Sequence, residues 1–464
     1  MDGALIQDVV SEVMKRLASK PASSGQLGVF AEVDGAVRAA QASFDQLQKL
    51  SLAQRDGIIK LIKQIAVDNA DAWGRIELAE TKIGRLDHKI EKLKSMAGIP
   101  GVEFLRTNAF TGTNGIGLDE FAPFGVIGCI TPVTHSIPTL TCNAINMIAS
   151  GNALVINAHP SGANCAAMAV DVYNRAIQAK FGVDALLTIV HPPTLESAEA
   201  LFSHRGVSLI VVTGGAVVAR AAMASKKRAI VAGPGNPPVV IDETACLTNA
   251  AKSIVRGAAY DNNLLCIGEK QIFVVAPVAD ALIREFARCD AVMLNAAQVE
   301  ALTRVAFPVD PKDGKPHLCK ELVGKDPAVL AQSAGMSVPA STQLLIGETN
   351  ASHPFVQQEQ MMPFVPIVRC RDVNEAMDLA IESEHGFRHT AIIHSRNTDT
   401  ITRFARRAQT TIFVANGPCV AGLGNGGEGY GSYSIATPTG EGITTPLTFT
   451  RFRRVAVCGA LRTI

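Results

Sequence analysis

The chain has 464 residues, enough for two sizeable hydrophobic cores, because single cores stop growing well short of that length. Apolar residues make up 47% and charged residues 18%, and the formal net charge is +1, so the chain reads as globular, with no electrostatic ground for a nucleic-acid partner. Ten cysteines form no C-x-x-C pair and no H-E-x-x-H run is present, so no metal site is signalled and reduced intracellular thiols are expected; nor does any apolar run reach the roughly 18 residues that span a bilayer or form a signal-peptide core.

Leu5, Ile6, Val9, Val10, Val13, Met14 and Leu17 recur at helical spacing, which predicts an amphipathic helix over residues 1–20. Pro21, Ser23, Ser24 and Gly25 then mark a flexible linker over 21–28. A helix of about 16 residues is marginal alone, so its stripe calls for a partner. That partner is either another protein or the chain's own body; a membrane is disfavoured, because the polar face carries both signs and the helix lacks Trp and Phe.

From Ala31 to Lys94 the periodicity is mainly helical, and Asn114-Gly115 signals a hairpin over 108–121. Strands are then expected at Phe124 to Ile130, Ala153 to Asn157, Leu186 to Val190 and Ser208 to Thr213, alternating with helices that begin near Leu140, Gly162, Leu195 and Ala216. Apolar strands separated by crossover helices imply a parallel, doubly wound sheet, whose ligands gather beyond the carboxyl ends of its strands. After the Gly233 to Pro238 punctuation a second α/β set is expected, with strands at Val239 to Ile241, Gln271 to Val275, Leu344 to Ile346, Val365 to Val368 and Thr390 to His394. Thr444 to Val457 alternates like a strand that leaves this second set. Gly422 to Gly427 satisfies G-x-G-x-x-G spacing, but Gly, Ser, Thr and Pro follow where a dinucleotide fingerprint must open a helix, so it reads as a mobile Gly-rich segment.

Several strings in this order resemble the aldehyde dehydrogenase superfamily, and within it the coenzyme-A-acylating enzymes of bacterial microcompartments that act on propionaldehyde or acetaldehyde. They are Phe124 to Gly128 leading into Thr131-Pro132, Ser150 to Ala153, Thr213 to Gly215, Ala232 to Pro238, Asn262 to Cys266 and Glu359 to Pro363. The resemblance implies two α/β domains with parallel sheets plus a small β bridging arm. Residues 29–235 would bind NAD, 236–443 would carry catalysis, and 444–464 would form a bridging strand and tail used with the hairpin in a homo-oligomer, a dimer or a dimer of dimers.

By the same resemblance Cys266 is the nucleophile, a role suited to a thiolate that attacks an aldehyde and later leaves from a thioester. His135 falls at or beside the Asn that in relatives helps hold the tetrahedral oxygen; it donates to that oxygen, tunes the thiol or fills space. Thr131, Pro132, Asn157, His159, Thr213, Gly214, Gly215 and Glu359 are implied in cofactor binding, Glu359 through the nicotinamide ribose, with His159 standing where many relatives have Lys. Lys226, Lys227 and Arg228 read as a solvated helix end. Hydrolytic members carry a Glu at the end of the cofactor domain, whereas Val231 to Gly235 offers no carboxylate, which leaves the thioester to coenzyme A; Glu243 and Glu269 stand as possible substitutes. The first segment resembles an encapsulation peptide, implying a shell or cargo partner through residues 1–20 and a place in the microcompartment lumen. The rival readings are hydrolytic dehydrogenation to a carboxylate and a non-catalytic assembly scaffold.

Overall fold

The computed structural model describes residues 25–461; the expected helix over residues 1–20 lies outside them. The chain divides into two compact units, one made of 25–81, 90–233 and 431–461, the other of 82–89 and 234–430.

The first unit is built on a six-stranded sheet. In chain order its strands are β1 (Val29–Phe30), β4 (Val126–Thr131), β5 (Ala153–Ala158), β6 (Leu187–Val190), β7 (Leu209–Thr213) and β8 (Ala229–Ala232), after the hairpin strands β2 (Asn108–Gly112) and β3 (Gly115–Pro123). Sheet order is β1-β6-β5-β4-β7-β8, and every pairing is parallel. Strands β4, β5 and β6 are buried at every position, because helices such as Ser136–Ala149 and Ala163–Phe181 cover them. From β4 the chain first builds outward on one side through β5 and β6, then returns to build β7 and β8 on the other. The crevice where the winding reverses therefore opens beside the carboxyl end of β4.

Local rules set the helix ends. Ser51 and Gln54 form a reciprocal capping box at Leu52–Asp68, Thr194 and Ser197 another at Leu195–Ser203, and Gly182, at φ 70°, closes Ala163–Phe181 in the left-handed conformation. The expected hairpin is present as β2 and β3; after the short antiparallel pair β16 (Ile435–Ala436) and β17 (Gly442–Ile443), the last strand, β18 (Thr450–Cys458), pairs antiparallel along the whole of β3. That strand starts six residues later than its Thr-rich pattern suggested, because Thr445 instead caps the short turn Pro446–Phe449.

In the second unit seven parallel strands run in the order β11-β12-β13-β10-β9-β14-β15: β9 (Pro238–Ile241), β10 (Gln271–Val275), β11 (Ala291–Leu294), β12 (Leu344–Glu348), β13 (Phe364–Cys370), β14 (Thr390–His394) and β15 (Ile412–Ala415). One cluster around Val240, Phe273, Met377 and Phe404 and another around Leu302, Phe355 and Phe364 fill its core. β11 and the helix Ala296–Ala306 have no counterpart in the sequence expectation, and neither do β1 and β8 of the first unit. Residues 82–89 join this unit because Gly84 N donates to Gly324 O at 2.8 Å and Arg85 N to Asp261 Oδ1 at 2.7 Å. The chain re-enters the first unit at Gly431, ahead of Thr444, since Ser432 and Ser434 bond Thr444, Asn143 and Thr213 there.

Candidate active site

Every residue from Gly257 to Val275 is buried except Cys266, which is partly open. The cause is the turn before it. Asp261, Asn262 and Asn263 are consecutive left-handed residues, at φ 50°, 56° and 65°, a run that only short polar side chains tolerate. Each is tied down: Asp261 Oδ1 accepts from Arg85 N, Asn262 Nδ2 donates to Gly324 O and Asp326 Oδ1, and Asn263 Nδ2 donates to Ala258 O and Glu269 O. So fixed, the turn delivers Cys266 just ahead of β10.

Neighbouring strands bring further groups to the same edge. Pro238 pairs with Gln271, Val239 with Ile392, and Ile272 with Ile367, so the residues preceding β9, β10, β13 and β14 collect at the amino end of the sheet. Gly235 arrives ahead of β9, Glu359 ahead of β13 and His389 ahead of β14. A Cβ on Gly235 would lie 2.6 Å from the Cys266 carbonyl oxygen and 2.9 Å from His389 Cγ, and Gly235 N donates to Glu359 Oε1 at 3.3 Å. Glycine is required there by close approach.

The electrostatics are those of a buried cluster. Lys270 is fully buried, and its Nζ donates to Asn263 O at 2.8 Å, to Asn263 Oδ1 and to Leu265 O at 3.1 Å. Burial pushes its pKa down, opposed by Glu359, Cys266, Cys419 and Glu269. Burial pushes the Cys266 thiol up to about 12, Glu359 adds to the rise, and Lys270 opposes it. At neutral pH the resting sulfur is therefore a thiol. Glu359 is itself raised by burial. Burial and the Lys270 charge bring His389 down to about 4, so its ring stays neutral; Nδ1 lies 2.9 Å from Thr390 Oγ1 and Nε2 is buried without a hydrogen-bond partner. Of the two carboxylates considered as substitutes, Glu243 is exposed, while Glu269 is buried, accepts from Cys419 N at 2.8 Å and is raised to about 7 by burial.

In the first unit, Thr131 and Thr213 end β4 and β7 and Asn157 is the last residue but one of β5, β4 pairing with β5 through Ile130 and Asn157 and with β7 through Ile130 and Val212. The sheet thus brings these three predicted residues to the reversal crevice. Thr131 Oγ1 is buried without a partner; Asn157 Oδ1 accepts from Ser197 Oγ at 2.6 Å, and Thr213 Oγ1 lies 2.6 Å from Ser434 Oγ. Gly214 and Gly215 face open space, and Gly215 precedes the helix Ala216–Ala224. Small residues and free N–H groups at a helix start are what a pyrophosphate needs. Pro132 follows β4, and His159 is exposed, with Nδ1 accepting from Ser161 N. His135 is buried at the start of Ser136–Ala149, its Nδ1 2.8 Å from Lys92 Nζ and its ring edge-on to Tyr433. Val231, in the segment without a carboxylate, is fully buried. Lys227 Nζ donates to Val207 O and Arg228 lies over the Phe124 ring, while Lys226 is exposed.

Gly235, Lys270 and His389 were not among the predicted site residues. Their only sequence signals were a glycine in a Gly/Pro run, a lysine four places after a cysteine and a histidine opening a strand. Asp310, Asp313 and His317 bring metal-type donors within 4.8 Å of one another on the surface, with His317 already 2.8 Å from Asp313.

Comparison with known proteins agrees with this architecture. The acetylating acetaldehyde dehydrogenase EutE of Salmonella typhimurium is 44% identical over 464 residues, covering 99% of each chain. The CoA-propanoylating propanal dehydrogenase of the same organism is 38% identical, covering 97% of this chain and 96% of that one. Among solved structures, the Rhodopseudomonas palustris propionaldehyde dehydrogenase with bound CoA and an acylated cysteine superposes with TM-score 0.90 at 40% identity, over 93% of this chain and 98% of that one. The propionaldehyde dehydrogenase of the Clostridium phytofermentans fucose utilisation microcompartment gives 0.92 at 38%, over 95% and 100%. The model of the aldehyde dehydrogenase family matches residues 8–297, and the chain belongs to that family.

Proposed function

We propose that this chain oxidises a short aliphatic aldehyde, propionaldehyde or acetaldehyde, to its acyl-CoA with reduction of NAD+, through a thioester on Cys266. The observation that carries the assignment is the single opening at Cys266 in an otherwise buried stretch, on a turn whose backbone is locked on every side. The relatives named above, one of them solved with CoA and an acylated cysteine, support acyl transfer over hydrolysis.

When bound, NAD+ supplies the hydride acceptor and coenzyme A the acceptor thiol; the residues at the ends of β4, β5 and β7, with Gly214 and Gly215, fit a dinucleotide. Cys266 releases its proton to solvent at its partly open face and its sulfur bonds to the carbonyl carbon, turning the carbonyl oxygen into an oxyanion. The Cys266 N–H and His135 are assigned to that oxygen. As the carbonyl reforms, hydride leaves the same carbon and a thioester remains on Cys266. With no carboxylate anywhere from Val231 to Gly235, that segment supplies no base to activate water, and the thioester lasts until a second thiol displaces the cysteine sulfur. His389, neutral and with an unpartnered Nε2, is assigned to receive the incoming thiol's hydrogen bond. Glu359 is assigned to the nicotinamide ribose.

A homo-oligomer built through β18 and its sheet, a shell or cargo contact through residues 1–20 and residence in the microcompartment lumen complete the reading. The microcompartment origin of a solved relative supports this context. The deciding experiment follows products with and without coenzyme A. Acyl-CoA stoichiometric with NADH, with turnover stalling when coenzyme A is omitted, is expected; equal NADH turnover with free acid in both samples would overturn acyl transfer.

A further inference from the structure

Lysine is seldom buried without an acidic partner in hydrogen-bond contact, yet the Lys270 ammonium has no solvent exposure and spends its donors on the residues leading to Cys266. Its contacts are Asn263 O, Asn263 Oδ1 and Leu265 O, three acceptors matched to the three N–H bonds of the charged form. A neutral amine has only two. The ammonium is therefore the form this pocket fits, even though burial disfavours it.

We propose that Lys270 is the positioning residue of the nucleophile: it clamps the Asn263 and Leu265 carbonyls that set the Cys266 turn, and its fixed positive charge favours formation of the thiolate. This rests on Cys266 being the nucleophile. Glu359, Glu269 and Cys419 are the acidic groups around the lysine and His389 the basic one, and Glu359 opposes thiolate formation while Lys270 favours it. The clamp holds the last residue of the left-handed run, since Asn263 at φ 65° turns both its carbonyl and its side-chain oxygen to one Nζ.

The test is the rate of Cys266 alkylation by iodoacetamide at about pH 7 to 9, where the rate follows the thiolate fraction, read by peptide mass spectrometry on the full-length protein. In Lys270→Met alkylation is expected to slow about tenfold at each pH. Lys270→Arg keeps the charge but replaces a convergent ammonium with a planar fork. Its alkylation is expected to slow by no more than about threefold, while kcat falls about tenfold at nearly constant aldehyde KM. A folded Lys270→Met protein alkylated at the parental rate would overturn the proposal. Should that variant fail to fold, Lys270→Arg with parental kcat would do so. Turnover of Cys266→Ala at the parental rate would instead refute the nucleophile assignment, whatever the Lys270 variants show.

Discussion

A β-carbon placed on Gly235 would stand 2.6 Å from the carbonyl oxygen of Cys266. Backbone oxygen cannot swing aside as a side chain does, so Gly235→Ala must displace the cysteine's own peptide. Misplacement of a reacting group by about 1 Å costs on the order of 100-fold in rate. Gly235→Ala is therefore expected to lose about 100-fold in kcat and, through overpacking, about 1–3 kcal/mol of stability, which steady-state kinetics and a melting curve on the same sample would check.

His389 sits on the other side of that glycine, and its role is assigned to the second half-reaction. In His389→Ala the first turnover, seen as a burst of NADH, is expected to stay close to the parental rate, while release to coenzyme A slows by about 100-fold. Stopped-flow absorbance separates the two. Because the ring stays neutral down to about pH 4, the loss should be nearly constant from pH 6 to 9. Equal slowing of burst and steady state would place His389 in the first step instead.

How much of this was visible beforehand depends on what each feature rests on. Most strands of both sheets were legible because crossover helices require them to be apolar on both faces, and runs such as Val126 to Ile130 or Gln271 to Val275 carry that mark. β1 and β8 were not, since they are two and four residues long, nor was β11, where Val292 and Met293 are partly exposed and the run ends after Leu294. Cys266 stood out among ten cysteines only through its resemblance to a known motif; Gly235, Lys270 and His389 act through the convergence of strands β9, β10 and β14, which no local pattern encodes. The carboxyl-end rule pointed to Thr131, Asn157 and Thr213 in the first sheet, whereas the groups around Cys266 sit at the amino ends of the second.

His135 replaces an amide by an imidazole, and Lys92 Nζ at 2.8 Å from Nδ1 favours the tautomer that carries its proton on Nε2. A fixed Nε2–H donor does the same work as an Asn N–H. His135→Asn is accordingly expected to stay within about tenfold of the parental kcat, whereas His135→Ala loses about 100- to 1000-fold. Parental activity in the alanine variant would reduce His135 to a packing role.

Glu269 gives a stability signature independent of activity. Its folded pKa of about 7 lies above the ordinary value of 4.5, so between those values the folded chain holds a proton that the unfolded chain has lost. This contribution is complete below about pH 4.5 and lost as pH rises through about 7. Its size is on the order of a few kcal/mol, and Glu269→Gln should remove it, leaving a melting temperature that falls by less than the parent's between pH 5 and 8. Parallel curves for the two proteins would mean that the carboxyl is not held protonated.

Among the described residues β18 lies at the edge of its three-stranded sheet, exposed along almost its whole length, with Phe452 64% and Phe110 55% accessible. An exposed strand of nine residues with unpaired backbone groups is an invitation to pairing, which proteins ordinarily blunt with charge or cover with another chain. Here Arg453 and Arg454 are already paired, with Glu120 and Asp119 within the sheet, so their charges are partly neutralised, and the Arg454 guanidinium lies against both aromatic rings. A second copy covering this surface would bury the two phenylalanines, each contributing about 1.5–3 kcal/mol. Phe452→Asp combined with Val457→Asp sets two carboxylates on the strand and is expected to shift the sedimentation-equilibrium mass toward that of one chain, with the folded spectrum retained. A mass unchanged at micromolar concentration would exclude β18 as the assembly surface.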